Sequence, residues 1–180
     1  MSRILAVNPG STSTKIAVYE DGKEILKENI PVDQDLISAY KCVLDQLDHR
    51  FELIRQTLLE KGILPESFDA VVGRGGILAP IPSGTYLVTK EMTDYLAEAP
   101  RGEHASNLGS VIAYELAGQL NIPAFIVDPV SVDELEPIAR ISGSPWFERV
   151  SMTHALNMKA VARKVAAEMG KRYEEVTLVV

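Results

Sequence analysis

The sequence predicts an α/β domain built on a mixed sheet, and three observations carry that prediction. Two short runs rich in apolar and β-branched residues, 4–7 and 15–20, flank a polar turn. Asp21-Gly22 then reads as a tight hairpin into a third run over 23–30, so the chain opens as an antiparallel meander that Pro31 ends. Beyond it, helical periodicities alternate with continuous apolar runs at 70–73 and 124–127, the pattern of buried strands.

Between 35 and 61, Leu36, Tyr40, Val43, Leu47, Phe51, Ile54 and Leu58 recur every three or four residues with charged residues between them. That spacing predicts one long amphipathic helix with a solvated charged face, stopped by Gly62. Residues 74–84 are irregular and rich in Gly and Pro. Helices are predicted near 90–97 and over 105–120, the second broken by Asn121-Ile122-Pro123. Asp128-Pro129 closes the strand at 124–127, and 131–141 reads as acidic and partly helical. A further helix is predicted over 151–169, capped by Ser151 or Thr153, with Met152, Ala155, Ala162 and Ala166 on one side; 176–180 then opens a fresh strand. Antiparallel strands followed by alternating helices and strands predict a sheet covered on both faces, the arrangement of ribonuclease-H-like half-domains.

At 180 residues, 46% hydrophobic and 24% charged, the chain can bury a core without disulfides or a structural metal. Cys42 is the single cysteine, and with only His49, His104 and His154 no zinc-site spacing exists; a reducing, cytoplasmic address is expected. The net charge of −7 opposes non-specific binding to nucleic acid or anionic lipid. The first residues carry no signal-peptide pattern, and no apolar stretch approaches the roughly 20 residues that span a bilayer.

Four segments could do chemistry. The turn from Asn8 through Gly10, Ser11, Thr12, Ser13 and Thr14 offers backbone N–H groups, an amide and hydroxyls that could converge on phosphate oxygens; an ordinary polar hairpin has the same composition. It is not a Walker A loop, because a strand pattern follows where a helix should begin. Arg74-Gly75-Gly76 follows a strand end, where a guanidinium can grip a carboxylate in its fork and glycines admit a substrate or another backbone; a glycine turn with a solvated Arg reads the same way. Asp128 ends a strand, either as a metal-reaching carboxylate or as the turn former before Pro129, while Asp133, Glu134 and Glu136 read as a solvated acidic face. His154 falls in the first turn of its helix, where the positive dipole end favours anions nearby, although a lone histidine is more often a capping or packing residue; His104, in 102–107, reads as a structural residue at a helix start, with active-site lining as the second reading.

Taken together, ILAVNPGSTSTKIAVYEDG, VVGRGGILAPIPSGTY, GEHASNLG, AFIVDPVSVDELEPIARISG and THALNMKAVAR resemble, in order, the N-terminal part of the acetate and butyrate kinase family, within the actin-like ATPase superfamily. Plain GRGG, in place of the acetate kinase pattern HRVVHGG, resembles the butyrate branch. Ser83 departs from the pattern, standing where a second glycine is expected. The resemblance implies reversible, Mg²⁺-dependent transfer of the ATP γ-phosphoryl group to a short-chain carboxylate, in a family that tends toward homo-oligomers. It places Asn8 near the metal and phosphates, Gly10, Ser11, Thr12 and Ser13 in the phosphate turn, Arg74 on the acceptor carboxylate, Asp128 with the metal and His154 on the transferring phosphoryl group.

A carboxylate is already ionised at pH 7, so the obstacle to such a reaction is repulsion between two anions rather than a missing base. At about 4 Å and an effective dielectric near 20, one like-charge pair costs about 4 kcal/mol, and an arginine, an imidazole and Mg²⁺ suit that task. Family members continue well past position 180, so the expectation is an acceptor-side domain over 1–175, with 176–180 as the first strand of a missing nucleotide-binding domain and no activity alone. Two alternatives stand beside this: a non-catalytic binding module that keeps the fold, and a kinase whose acceptor is a sugar or polyphosphate.

Overall fold

A computed structural model of the chain describes residues 1–152 and 154–179. Strands β1 (Arg3–Pro9), β2 (Ser13–Glu20) and β3 (Lys23–Pro31) form the expected antiparallel meander. Asp21 and Gly22 take φ of 47° and 79°, the left-handed pair that matches a two-residue hairpin to the twist of its strands. Strands β4 (Ala70–Gly73) and β6 (Ala124–Val127) continue the sheet in parallel with β1. A short strand not evident from the sequence, β5 (Thr85–Leu87), closes the far edge antiparallel to β6, giving the order β3-β2-β1-β4-β6-β5.

The register sets which side chains are buried. Leu5 sits beside Val18 and Val71, and Val7 beside Ile16 and Gly73, so these side chains share one face and are nearly inaccessible. Helices α2 (Leu47–Glu60) and α4 (Asn107–Leu120) cover that face with Ile54, Leu58, Leu108, Ile112 and Leu116. The opposite face is an open trough over Ala6, Ala17 and Val72, bordered by Asn8, Lys15 and Arg74. The expectation of a sheet covered on both faces is therefore corrected at β1, β2 and β4. Strand β2 alternates Ile16 and Val18 with Lys15, Ala17 and Tyr19, the pattern of a strand buried on one side.

The single long helix expected over 35–61 is also corrected. Helix α1 (Gln34–Ala39), capped by the Asp33 side chain, stops at an extended Tyr40, and a 3-10 turn at Val43–Gln46 leads into α2. The Asp45 carboxylate accepts the N–H groups of Lys41 (3.1 Å) and Cys42 (3.3 Å), offering the backbone a local alternative to helical bonds. Arg50, which the periodicity leaves among the solvated charges, is fully buried instead.

Helix α3 (Lys90–Glu98) and α4 fall where expected, and Asn121 ends α4 in a left-handed conformation, φ 54°. The last expected helix begins later, as α5 (Ala155–Glu168), with His154 at the cap position rather than in the first turn. Ser151 is buried ahead of it and the proposed Thr153 cap lies outside the described residues. Residues 176–179 join no sheet among the described residues, and Val180 lies outside them, so the expected final strand is not seen here. A single strand without a neighbour has no partner for its backbone groups.

The acidic stretch is only partly the expected solvated face: Glu134 and Glu136 are exposed, whereas Asp133 is paired and nearly buried. Its one regular element is a 3-10 turn at Pro137–Arg140, whose Arg140 gives two bonds to the nearly buried Asp133 carboxylate, 2.8 and 2.9 Å; the Leu135 N–H adds a third at 3.1 Å. The Arg140 fork, chiefly, holds this carboxyl below its ordinary value of 3.8. A depressed folded-state pKa gives stability that is complete above the ordinary value and is lost as pH falls through the folded one. Thermal melts taken from pH 6 down to 3 are expected to show the wild type losing Tm below about pH 4 more steeply than Asp133→Asn. Parallel curves would assign the acid sensitivity elsewhere.

Candidate active site

The loop Arg74-Gly75-Gly76 leaves the C-terminal end of β4 and is held from below by the first turn of α4. The Arg74 N–H donates to the Val7 carbonyl at 3.0 Å, and the Ser110 hydroxyl donates to the carbonyls of Arg74 (3.3 Å) and Gly75 (3.2 Å). Buried Asn107 accepts the Ile77 N–H at 3.0 Å and donates to the Gly102 carbonyl at 3.2 Å. Such contacts require helix and strand backbones to touch. A Cβ on Gly73 would lie 2.1 Å from the Gly109 carbonyl oxygen, and a Cβ on Gly109 would lie 2.4 Å from that of Arg74. Of the two loop glycines read from the sequence, Gly76 admits another backbone, since a Cβ there would lie 2.8 Å from the Asn107 Cα, whereas Gly75 lies against the Pro129 ring, where a Cβ would come within 2.4 Å of the proline Cβ. The half-buried Arg74 side chain reaches across to Asn8, its Nη1 donating to Oδ1 at 3.3 Å.

Asp128 ends β6 with a left-handed backbone, φ 43°. Its Oδ1 accepts the Gly84 N–H at 2.8 Å while its own N–H donates to the Gly84 carbonyl at 3.1 Å, a reciprocal clasp between the loop before β5 and the end of β6. Asp128 thus does act as a turn former, with Oδ2 left over. Ser83, where a glycine was expected, uses both its hydroxyl and its N–H on the Glu134 carboxylate. These bonds, with the more distant charge of Lys159, hold the Glu134 carboxyl below the usual range.

Arg74, Asp128 and His154 border one cavity of about 260 Å³. Pro129, Val130, Val132, Leu135 and Leu156 supply an apolar wall, and Glu134, Ser151, Asn157 and Lys159 complete the polar side. The sequence reading missed Lys159, Ser151 and Asn157. Asn157 stands three residues after His154 and so shares its helix face, a signal the sequence does carry. Asn8 lies outside this cavity and joins it through Arg74; it borders the neighbouring trough together with Lys15, its cross-strand partner. His104 has the structural role expected of it: its Nδ1 accepts the Ser106 N–H at 3.1 Å at the start of α4.

The turn Gly10–Ser13 is closed by Gly10 N–H donating to the Ser13 carbonyl at 2.7 Å. Ser11 and Thr12 are exposed at its tip. Beneath it the Arg50 guanidinium donates to the Gly10 carbonyl (2.9 Å) and the Thr14 hydroxyl (2.8 Å), anchored on Gln46 Oε1 at 2.9 and 3.0 Å.

Among the described residues no three His, Cys, Asp or Glu side chains converge on a metal position. Mg²⁺ binds through one or two carboxylates with phosphate oxygens and water rather than in an all-protein cage. Asp128 Oδ2 is the donor available for it, whereas Asn8 Oδ1 already faces a guanidinium.

No family model matches the sequence. Among solved structures, acetate kinase from Porphyromonas gingivalis superposes with a TM-score of 0.62 at 17% identity, covering 96% of this chain and 50% of that one. The propionate kinase from Francisella tularensis subsp. tularensis SCHU S4 gives 0.60 at 17%, covering 95% and 50%. The chain has an actin-like ATPase fold. Acetate kinase from Entamoeba histolytica agrees, at 0.58 and 14%, covering 93% and 46%. The chain spans about half the length of these kinases, and at such identities the likeness is one of fold. Among the described residues no helix is long and apolar enough to cross a membrane.

Proposed function

We propose that the chain forms the acceptor side of a short-chain carboxylate kinase of the butyrate branch, acting on butyrate or a branched analogue with ATP and Mg²⁺. The observation that carries this reading is the convergence of Arg74, Asp128 and His154 on one small cavity with an apolar wall, in a fold shared with acetate and propionate kinases. An aliphatic tail would lie on Val130, Val132, Leu135 and Leu156 while its carboxylate meets Arg74. A sugar or polyphosphate would leave that apolar wall unused, so the geometry favours the aliphatic acid.

In the reaction a carboxylate oxygen forms a bond to the γ-phosphorus, the bridging P–O bond to ADP breaks, and the electron pair leaves with ADP. No proton need move. Arg74 neutralises and orients the nucleophile, and a ring N–H of His154 donates to the phosphoryl oxygens. Mg²⁺, held by Asp128 together with phosphate oxygens and water, would supply further charge neutralisation. The adenosine side of the nucleotide is assigned to sequence outside these 180 residues, in keeping with the half-length match to the kinases.

Hydroxylamine trapping of acyl phosphate, with a panel of two- to five-carbon acids, tests this. The 180-residue chain alone is expected to yield no hydroxamate. The chain extended by any in-frame coding sequence found downstream of it is expected to yield hydroxamate, four-carbon acids exceeding acetate. Hydroxamate from the short chain would overturn the half-site assignment, and none from the longer chain with any acid would overturn the kinase reading in favour of a binding module.

A further inference from the structure

The Arg50 guanidinium is completely buried, yet every acceptor it meets is neutral: Gln46 Oε1, the carbonyls of Gly10 and Ser13, and the Thr14 hydroxyl. Among the described residues no carboxylate reaches it. A buried charge without a counter-ion is among the costliest things a fold can hold, and a neutral amide could brace the same carbonyls. Burial pulls the Arg50 pKa below the usual arginine value, but the group stays charged at any physiological pH.

The turn above it is sorted by polarity. The carbonyls of Gly10 and Ser13 point down onto Arg50, and the Thr12 carbonyl accepts the Val32 N–H at 3.1 Å. The N–H groups of Ser11 and Thr12, and the hydroxyls of Ser11, Thr12 and Ser13, donate to no protein group among the described residues. Apart from the Gly10 N–H, which closes the turn, and the Ser11 carbonyl, the acceptors are thus engaged inside and the donors left outside, over a full positive charge.

We propose that Arg50 is a positioning residue for anion binding at the Gly10–Ser13 turn: it fixes the turn with its donors outward and supplies, through the turn, the positive charge that the bound phosphoryl oxygens balance. This rests on the reading of that turn as a phosphate site. It gives the buried cation its counter-charge only when ligand is present, and it adds a second guanidinium to Arg74 in the recognition of two anions.

Gln46→Glu separates this role from a merely structural one. The substitution is nearly isosteric and pairs Arg50 with a carboxylate, so a simple brace would be stabilised with no change at the turn. Amide NMR titration of the 180-residue chain with pyrophosphate is the measurement. Wild type is expected to show saturable shifts at the Ser11 and Thr12 amides. Gln46→Glu is expected to melt no lower than wild type yet to bind pyrophosphate about tenfold more weakly, while butyrate shifts at Arg74 are unchanged. Should Gln46→Glu fail to fold, Arg50→Lys is expected to stay within about threefold of wild type where Arg50→Gln loses about tenfold. Undiminished pyrophosphate affinity in Gln46→Glu, or equal losses in the two Arg50 variants, would overturn the proposal and leave the phosphate turn intact. An absence of shifts at Ser11 and Thr12 in wild type would overturn the phosphate turn itself.

Discussion

Gly109→Ala is expected to lower stability by about 3 kcal/mol, at the upper end of what overpacking costs, and Tm by about 6–12 °C. The new methyl would sit 2.4 Å from the Arg74 carbonyl oxygen and 2.8 Å from its nitrogen, both backbone atoms, so no side chain can rotate away to relieve it. Helix α4 must lift off β4, and the bonds from Ser110 and Asn107 to the 74–77 loop stretch with it. Short-chain acid affinity should fall in the same variant. Gly118→Ala, in the same helix, is the control: its Cβ meets nothing within 4 Å. There the ordinary helix preference for alanine predicts a gain of about 0.5–1 kcal/mol. Denaturant melts of the two variants check both signs, and a Gly109→Ala protein as stable as wild type would mean that helix and strand are not in contact as described.

Arg74→Ala is expected to weaken butyrate binding about 10–100-fold, the worth of a charge-assisted pair, with stability within about 0.5 kcal/mol of wild type. The second half of that expectation follows from how the residue is held. Its backbone carries the bonds to Val7 and Ser110, whereas among the described residues the side chain makes one hydrogen bond, 3.3 Å to Asn8. Arg74→Lys should recover little, because an ammonium cannot reproduce the two-pronged grip on a carboxylate. Titration with carboxyl-labelled butyrate, followed by carbon NMR on the 180-residue chain, gives the affinities. An unchanged affinity in Arg74→Ala would remove this side chain from acceptor recognition and reopen the choice of acceptor.

Much of the sheet is legible in the sequence because strand alternation is a local property. The runs at 70–73 and 124–127 coincide with β4 and β6 residue for residue, and the Asp21-Gly22 hairpin follows from two residues. What the sequence hides is what depends on partners distant along the chain. Arg50 looks like any exposed helix charge until the carbonyls of Gly10 and Ser13, some forty residues away, are found against it. Strand β5 is three residues long and exists because β6 offers an edge. The helix break near Tyr40 turns on one carboxylate, Asp45, competing for backbone donors. Of the candidate site, Arg74, Asp128 and His154 are brought to one cavity and Asn8 to Arg74, whereas Lys159 and Lys15 had no signal to separate them from the other surface lysines.

The left-handed twist at Asp128 limits what can replace it. Few side chains tolerate φ near 43°, and asparagine and aspartate do so best. Glutamate, its nearest chemical relative, would keep the negative charge at the cost of an ill-fitting corner, while asparagine would keep the corner and the Gly84 contact without the charge. Shape and ionisation at this position are therefore separable by a single-atom exchange, and asparagine is the conformationally quiet exit that also keeps the clasp on Gly84, at the loss of the charge.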